Sequence, residues 1–118
     1  IIPGFLTKDG KAVGPFGVMG AFMQPQGQLQ VLLNTIDYHL NPQAALDAPR
    51  WQWMGGKIIE VEPEMPQDIV YGLRLRGHDV VVKGDIQTYG RGQIIWRSEA
   101  GILMGGTEPR ADGTVAAW

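Results

Sequence analysis

Few residues in this sequence could carry out covalent chemistry, and none of them falls into a recognisable grouping. Ser98 is the single serine, His39 and His78 are the two histidines, and no cysteine occurs. A hydroxyl nucleophile needs a base within reach. Neither histidine lies in a motif that pairs it with Ser98, so each reads as a surface or helix-end residue. Glu60, Glu62 and Glu64 alternate as on a strand edge, which would suit a metal or an acid–base pair only with partner ligands that the sequence does not supply. A solvated face is expected there, and no metal or cofactor is implied. In "YGRGQIIWR" Tyr89, Arg91, Trp96 and Arg97 interleave in a way that could stack on nucleobases, but strand alternation divides them between two faces.

Backbone chemistry is the better lead. "GVMGAFMQPQGQLQVLLN", residues 17–34, carries glycines spaced like a backbone-donor loop and runs into an apolar pattern of helical spacing. A glycine-bearing loop feeding a helix can present unpaired N–H groups to an anion, with the helix dipole favouring negative charge there. The same spacing also suits a tight strand-to-helix turn that holds nothing.

The elements that must position this loop can be read along the chain. "IIPGFL" opens on β-branched residues without an initiator methionine, as expected of a segment cut within a strand. Asp9-Gly10 marks a two-residue hairpin turn between strands at 1–7 and 11–19. Leu29, Leu32, Leu33, Ile36 and Leu40 recur at steps of three and four, predicting a helix over 27–40 with that face inward. Asn41 and Pro42 form an N-cap and first turn for a short helix through Ala48. Extended segments meet at Gly55-Gly56. A helix over 66–76 turns Ile69, Val70 and Leu73 inward, with Gly77 as its left-handed cap. Three more strands follow in "HDVVVKGD", "GQIIWRS" and "GILMGG". This order does not alternate strictly, so an α+β layered fold of antiparallel strands under helices is expected, as a single domain over 1–118.

Composition agrees. At 118 residues, 44% hydrophobic and 19% charged, the chain suits one globular domain. A net charge of -2 with ten scattered basic residues gives no footprint for nucleic acid or an anionic membrane. The apolar runs fall far short of the roughly 20 residues that span a bilayer.

Four blocks, Gly17–Ala21, Asp37–Asn41, Asp47–Arg50 and Gly105–Gly113, resemble in order and spacing the C-terminal part of the small subunit of γ-glutamyltranspeptidases. The corresponding family patterns are Gly-Ser-Pro-Gly-Gly, Asp-(Phe/Tyr)-Gly-(Met/Leu)-Asn, Asp-Ala-Pro-Arg and Gly-(Ala/Thr)-(Ser/Thr)-(Asp/Glu)-Pro-Arg-x-Asp-Gly. The resemblance covers nearly the whole chain. It implies a part of the αββα sandwich of N-terminal-nucleophile hydrolases, in a bacterial protein, cytoplasmic or exported. It also implies γ-glutamyl or related acyl transfer through an N-terminal threonine that this chain lacks, since Ile1 cannot serve. The remainder of its own precursor is then the expected partner, with a homo-oligomer as a further option, and the 118 residues alone are expected to be inactive. The family's oxyanion hole, two consecutive backbone N–H groups, maps to Gly20 and Ala21. Here Ser-Pro is replaced by Val18-Met19 and the second glycine by Ala21, which makes the rim more apolar and strains Ala21 if its φ is positive. Arg50 and Arg110 are expected in structural ion pairs or on backbone carbonyls, and Trp51, Trp53 and Trp96 in the core or a subunit interface. The alternative is a non-catalytic interaction module that keeps the family fold.

Overall fold

The opening hairpin begins the larger of two sheets. In the computed structural model, which describes residues 2–118, β1 (Gly4–Lys8) and β2 (Lys11–Met19) pair antiparallel. Asp9 and Gly10 between them have φ of 51° and 73°, the backbone of a two-residue turn whose twist matches the strands. Ile1, with which the expected strand starts, lies outside the described residues. β6 (Arg91–Arg97) and β7 (Leu103–Thr107) complete an antiparallel sheet of order β1-β2-β6-β7.

Helices α1 (Met23–Ile36) and α2 (Pro42–Asp47) cover one face of this sheet. Alternation along β2 and β6 sends Phe16, Val18, Ile94 and Trp96 toward the helices, where Val31, Ala45 and Leu46 close the core. Full burial of each large side chain contributes roughly 1.5–3 kcal/mol. The Phe16 and Trp96 rings tilt against each other with centroids 5.7 Å apart. Asn41 caps α2 as expected, its side chain accepting from the Ala44 amide at 2.9 Å.

The smaller sheet holds β3 (Trp51–Gly55), β4 (Ile58–Val61) and β5 (Asp79–Val82). β3 and β4 form a hairpin; β5 returns parallel to β4 after α3 (Gln67–Leu75), so one parallel pair departs from the antiparallel expectation. Ile59, Val61, Met65, Val70 and Val80 form a second core against α3, with Trp51 and Leu73 at its margin. Gly77 takes the expected left-handed cap at φ 87°.

Two expectations change. α1 starts four residues early and ends four early, because Met23 and Gln24 already donate to Gly20 and Ala21 carbonyls. At its other end the Asp37 and Tyr38 amides both converge on the Leu33 carbonyl, and His39 turns to φ 54°. The buried face of α1 is also not the leucine face. Met23, Gly27, Gln30 and Val31 are buried, whereas Leu29, Leu33 and Ile36 stay exposed. Gly27 faces Val18 so closely that a Cβ there would stand 2.7 Å from Val18 Cγ1. On α3 Ile69 likewise points outward.

Gln30 is buried because its amide stands in for a strand. Its Nε2 donates to the Trp51 carbonyl at 2.8 Å, and its Oε1 accepts from the Trp51 amide at 3.1 Å. Gln26, one turn earlier, makes the same pair with Trp53. Gln43 on α2 does so with Thr107 of β7, at 2.9 and 3.0 Å. These side chains satisfy strand-edge groups that would otherwise template aggregation.

Candidate active site

The loop between β2 and α1 is tightly defined. Gly20 has φ 151° and Ala21 φ 50°, both in the region that favours glycine, so the expected strain at Ala21 is present. Gly20 also has no room for a side chain: a Cβ would lie 3.0 Å from Gly90 Cα and 3.2 Å from Met23 Cβ. The two carbonyls of the pair are engaged by the first turn of α1, at 2.8 and 3.1 Å. Among the loop and side-chain hydrogen bonds of the described residues, none has the Gly20 or Ala21 amide as donor.

Both residues line a cleft of about 930 Å³. Phe22 and Met23 continue its wall from the loop, Trp53 and Met54 from β3, and Lys83 and Thr88 from the far side. Phe22, Trp53 and Met54 are more than half exposed, so the rim is apolar as the sequence implied. Lys83 is occupied by Glu60 at 3.2 Å.

Beneath the loop lies a buried ionic cluster. Arg50 follows α2 and Glu62 follows β4; Glu108 and Arg110 lie just past β7. Arg50 donates to Glu108 at 2.8 Å, Glu108 accepts from Arg110 at 2.7 Å, and Arg110 forms a two-pronged pair with Glu62. Arg110 also donates to the Leu46 and Ala48 carbonyls at 2.9 and 3.1 Å. Both arginines thus take the structural roles expected of them. Glu62 does not belong to a solvated face: the chain leaves β4 at Val61, and its carboxylate turns inward to 2% exposure. Burial pulls the Arg50 guanidinium below its ordinary value despite Glu108. Burial also acts downward on Arg110, but the hydrogen bonds that it donates to Glu62 and Glu108 outweigh it and hold this group above its ordinary value.

The cluster reaches the loop through one segment. Arg50 Nη1 donates to the carbonyls of Tyr89 and Gly90 at 3.0 and 3.1 Å, and Gly90 is the residue that packs against Gly20. Tyr89 closes a 3₁₀ turn, Ile86–Tyr89, that the sequence reading did not contain. Its side chain is fully buried and its hydroxyl has no partner among the described residues.

The remaining candidates stay apart. His39 sits exposed past α1, and His78 lies past α3. Ser98 serves a turn, its Oγ accepting from the Ile102 amide at 3.1 Å. Trp96 is core, whereas Trp53 is an exposed cleft wall, held by a hydrogen bond from its indole to the Gly56 carbonyl at 3.0 Å. Gln26 was missed as a site residue, although its spacing of four from Gln30 was a signal.

The family model described as Gamma-glutamyltranspeptidase matches residues 1–118. Among curated proteins, the glutathione hydrolase-like YwrD proenzyme of Bacillus subtilis is 34% identical over 119 residues, covering 96% of this chain and 23% of the relative. Among solved structures, cephalosporin acylase from Bacillus halodurans superposes with a TM-score of 0.97 at 65% identity, over 100% of this chain and 22% of that one. A γ-glutamyltranspeptidase from Pseudomonas nitroreducens shares the fold, with a TM-score of 0.84 at 23% identity over 99% of this chain and 61% of that one. The chain therefore spans under a quarter of the length of the curated relatives it matches.

Proposed function

From the premise that the chain belongs to the γ-glutamyltranspeptidase family, we propose that it forms the C-terminal part of the small subunit of an enzyme that transfers or hydrolyses γ-glutamyl or related acyl groups. In this reading the Gly20 and Ala21 amides are the oxyanion hole. The observation that carries it is two consecutive residues at positive φ, with carbonyls engaged and amides that find no acceptor among the described residues, at the wall of the cleft of about 930 Å³. A threonine from the remainder of the precursor attacks the substrate carbonyl, and its own α-amino group takes the proton. The carbonyl oxygen becomes negative, and the two fixed N–H groups stabilise that charge without reorganising. Collapse of the intermediate expels the amine, which takes the proton back from the α-amino group, and leaves an acyl-threonine, which water or an amine resolves.

Relatives named as a glutathione hydrolase-like proenzyme and a cephalosporin acylase both support amide-bond chemistry at this fold. The apolar rim of Phe22, Trp53 and Met54 favours amides with a bulky apolar portion over wholly polar ones. The isolated chain, which holds backbone donors and, among the described residues, no positioned nucleophile, is expected to turn over neither a γ-glutamyl nor a glutaryl anilide.

The test replaces the Ala21 amide by an ester in the full-length protein, by incorporating lactic acid at that position, so that the N–H is lost while the methyl side chain is kept; the Gly20 carbonyl, a weaker acceptor in the ester, still faces the Met23 amide, and Tm is followed alongside activity. Loss of one oxyanion donor lowers kcat about 10²–10³-fold with little change in KM. An ester protein that turns over either anilide at the unmodified rate would remove the assignment.

A further inference from the structure

We infer that Gln26 is a positioning residue for the oxyanion loop, clamping the start of α1 to the β3 wall of the cleft. This rests on the oxyanion reading of Gly20 and Ala21. Its side-chain amide is fully used in the clamp. Nε2 donates to the Phe22 carbonyl and to the Trp53 carbonyl, each at 3.3 Å, and Oε1 accepts from the Trp53 amide at 2.6 Å. One side chain thus joins the residue that follows the oxyanion pair to the residue that forms the opposite apolar wall, and Gln26 itself lines the same cleft.

Gly20 is fixed from below by Gly90, but Ala21 and Phe22 project into the cleft, and Phe22 is 91% exposed. Phe22 supplies no side-chain cap to α1, and the local contacts of the strained turn, the Gly20 and Ala21 carbonyls engaged by the first turn of the helix, do not tie it to the cleft wall. The Gln26 amide does so with a neutral group that adds no charge where an oxyanion must form. Because Trp53 is held at both its N–H and its C=O, the clamp also sets the distance between the donors and the wall against which a substrate lies. Displacement of catalytic groups by about 1 Å lowers rates by about 10²-fold.

Gln43 provides the control. It makes the same two-pronged pair with Thr107, yet it does not line the cleft. Gln26→Met and Gln43→Met in the full-length protein remove equivalent hydrogen bonds and are compared by Tm, kcat and KM on the anilide substrates. Similar losses in Tm are expected, with kcat lowered at least 10-fold and KM changed less than threefold in Gln26→Met only. Gln26→Glu retains the size and the acceptor for the Trp53 amide but has no donor for the two carbonyls at neutral pH; it also lowers kcat, and it serves if the methionine variant does not fold. An unchanged kcat in the folded Gln26 variants, or an equal fall in Gln43→Met, overturns the inference. The Ala21 ester separates the two readings: an ester that costs activity while Gln26 variants do not removes the clamp alone, and an ester without effect removes the oxyanion hole itself.

Discussion

Replacing Glu108 by glutamine removes one charge from the cluster beneath the loop while keeping the side chain's shape. Glu108 is 1% exposed; it accepts from Arg50 at 2.8 Å and from Arg110 at 2.7 Å, and the Gly92 amide also donates to it. In the native cluster two guanidiniums face two carboxylates, and the charges cancel. Glu108→Gln leaves two guanidiniums against Glu62 alone, one uncompensated positive charge in a buried site. Breaking a buried pair in this way costs about 3–5 kcal/mol, out of a total that for a domain is about 5–15 kcal/mol. The effect concentrates at Arg50, whose charged form burial already disfavours and whose main attraction is Glu108. Removing Arg50 and Glu108 together leaves the Arg110–Glu62 pair neutral. Arg50→Leu, Glu108→Leu and their combination, measured by urea unfolding at constant m-value, should therefore couple by about 2 kcal/mol, with the double variant more stable than additivity allows. Purely additive losses, or a Glu108→Gln variant within about 1 kcal/mol of native, would refute the charge-balance argument.

Two further outcomes follow from single groups. Burial, with the Glu60 and Glu62 charges, raises the Tyr89 hydroxyl above its ordinary pKa of 10.0, so the folded state keeps a proton that the unfolded state releases. Stability falls as pH rises above about 10, and Tyr89→Phe should flatten that limb in unfolding scans while gaining up to about 1 kcal/mol at neutral pH from loss of an unpartnered hydroxyl; an unchanged alkaline limb would contradict this. Ala21→Gly should raise stability by about 1 kcal/mol by relieving φ 50°, and a lowered Tm would show that the turn is not strained.

Sequence patterns read well where local chemistry decides the backbone. Asp9-Gly10, Asn41-Pro42 and Gly77 each fix a turn or cap through their own φ preference or side-chain oxygen, and all three stand where expected. The glycine loop was legible for the same reason. The inner face of α1 was not. Periodicity reports where apolar residues lie, and the leucines do share a face, but contact with β2 requires the absence of a side chain at Gly27 and contact with β3 requires an amide at Gln30. Glu62 was misread because alternation assumes that the strand continues, and β4 stops one residue earlier. The ionic cluster pairs residues 48 and 58 apart in sequence, a pairing that no local pattern encodes.

The glutamine pairs along β3 imply a matching of lengths. Four residues of helix advance about 6.0 Å, and two residues of strand about 6.8 Å, so Gln26 and Gln30 can meet Trp53 and Trp51 from a helix running opposite to the strand. The series stops at both ends for separate reasons. One turn further along, Asn34 would face Pro49, which has no amide, and it turns instead to the Ala45 carbonyl at 3.3 Å; one turn back stands Phe22. Two helical and strand periods that nearly agree set the register in steps: a slide by one whole step would re-form one glutamine pair and lose the other, and a fractional slide would break both. The axial position of α1, and of the loop that begins it, is thereby quantised by two uncharged side chains, a form of registration insensitive to salt and pH.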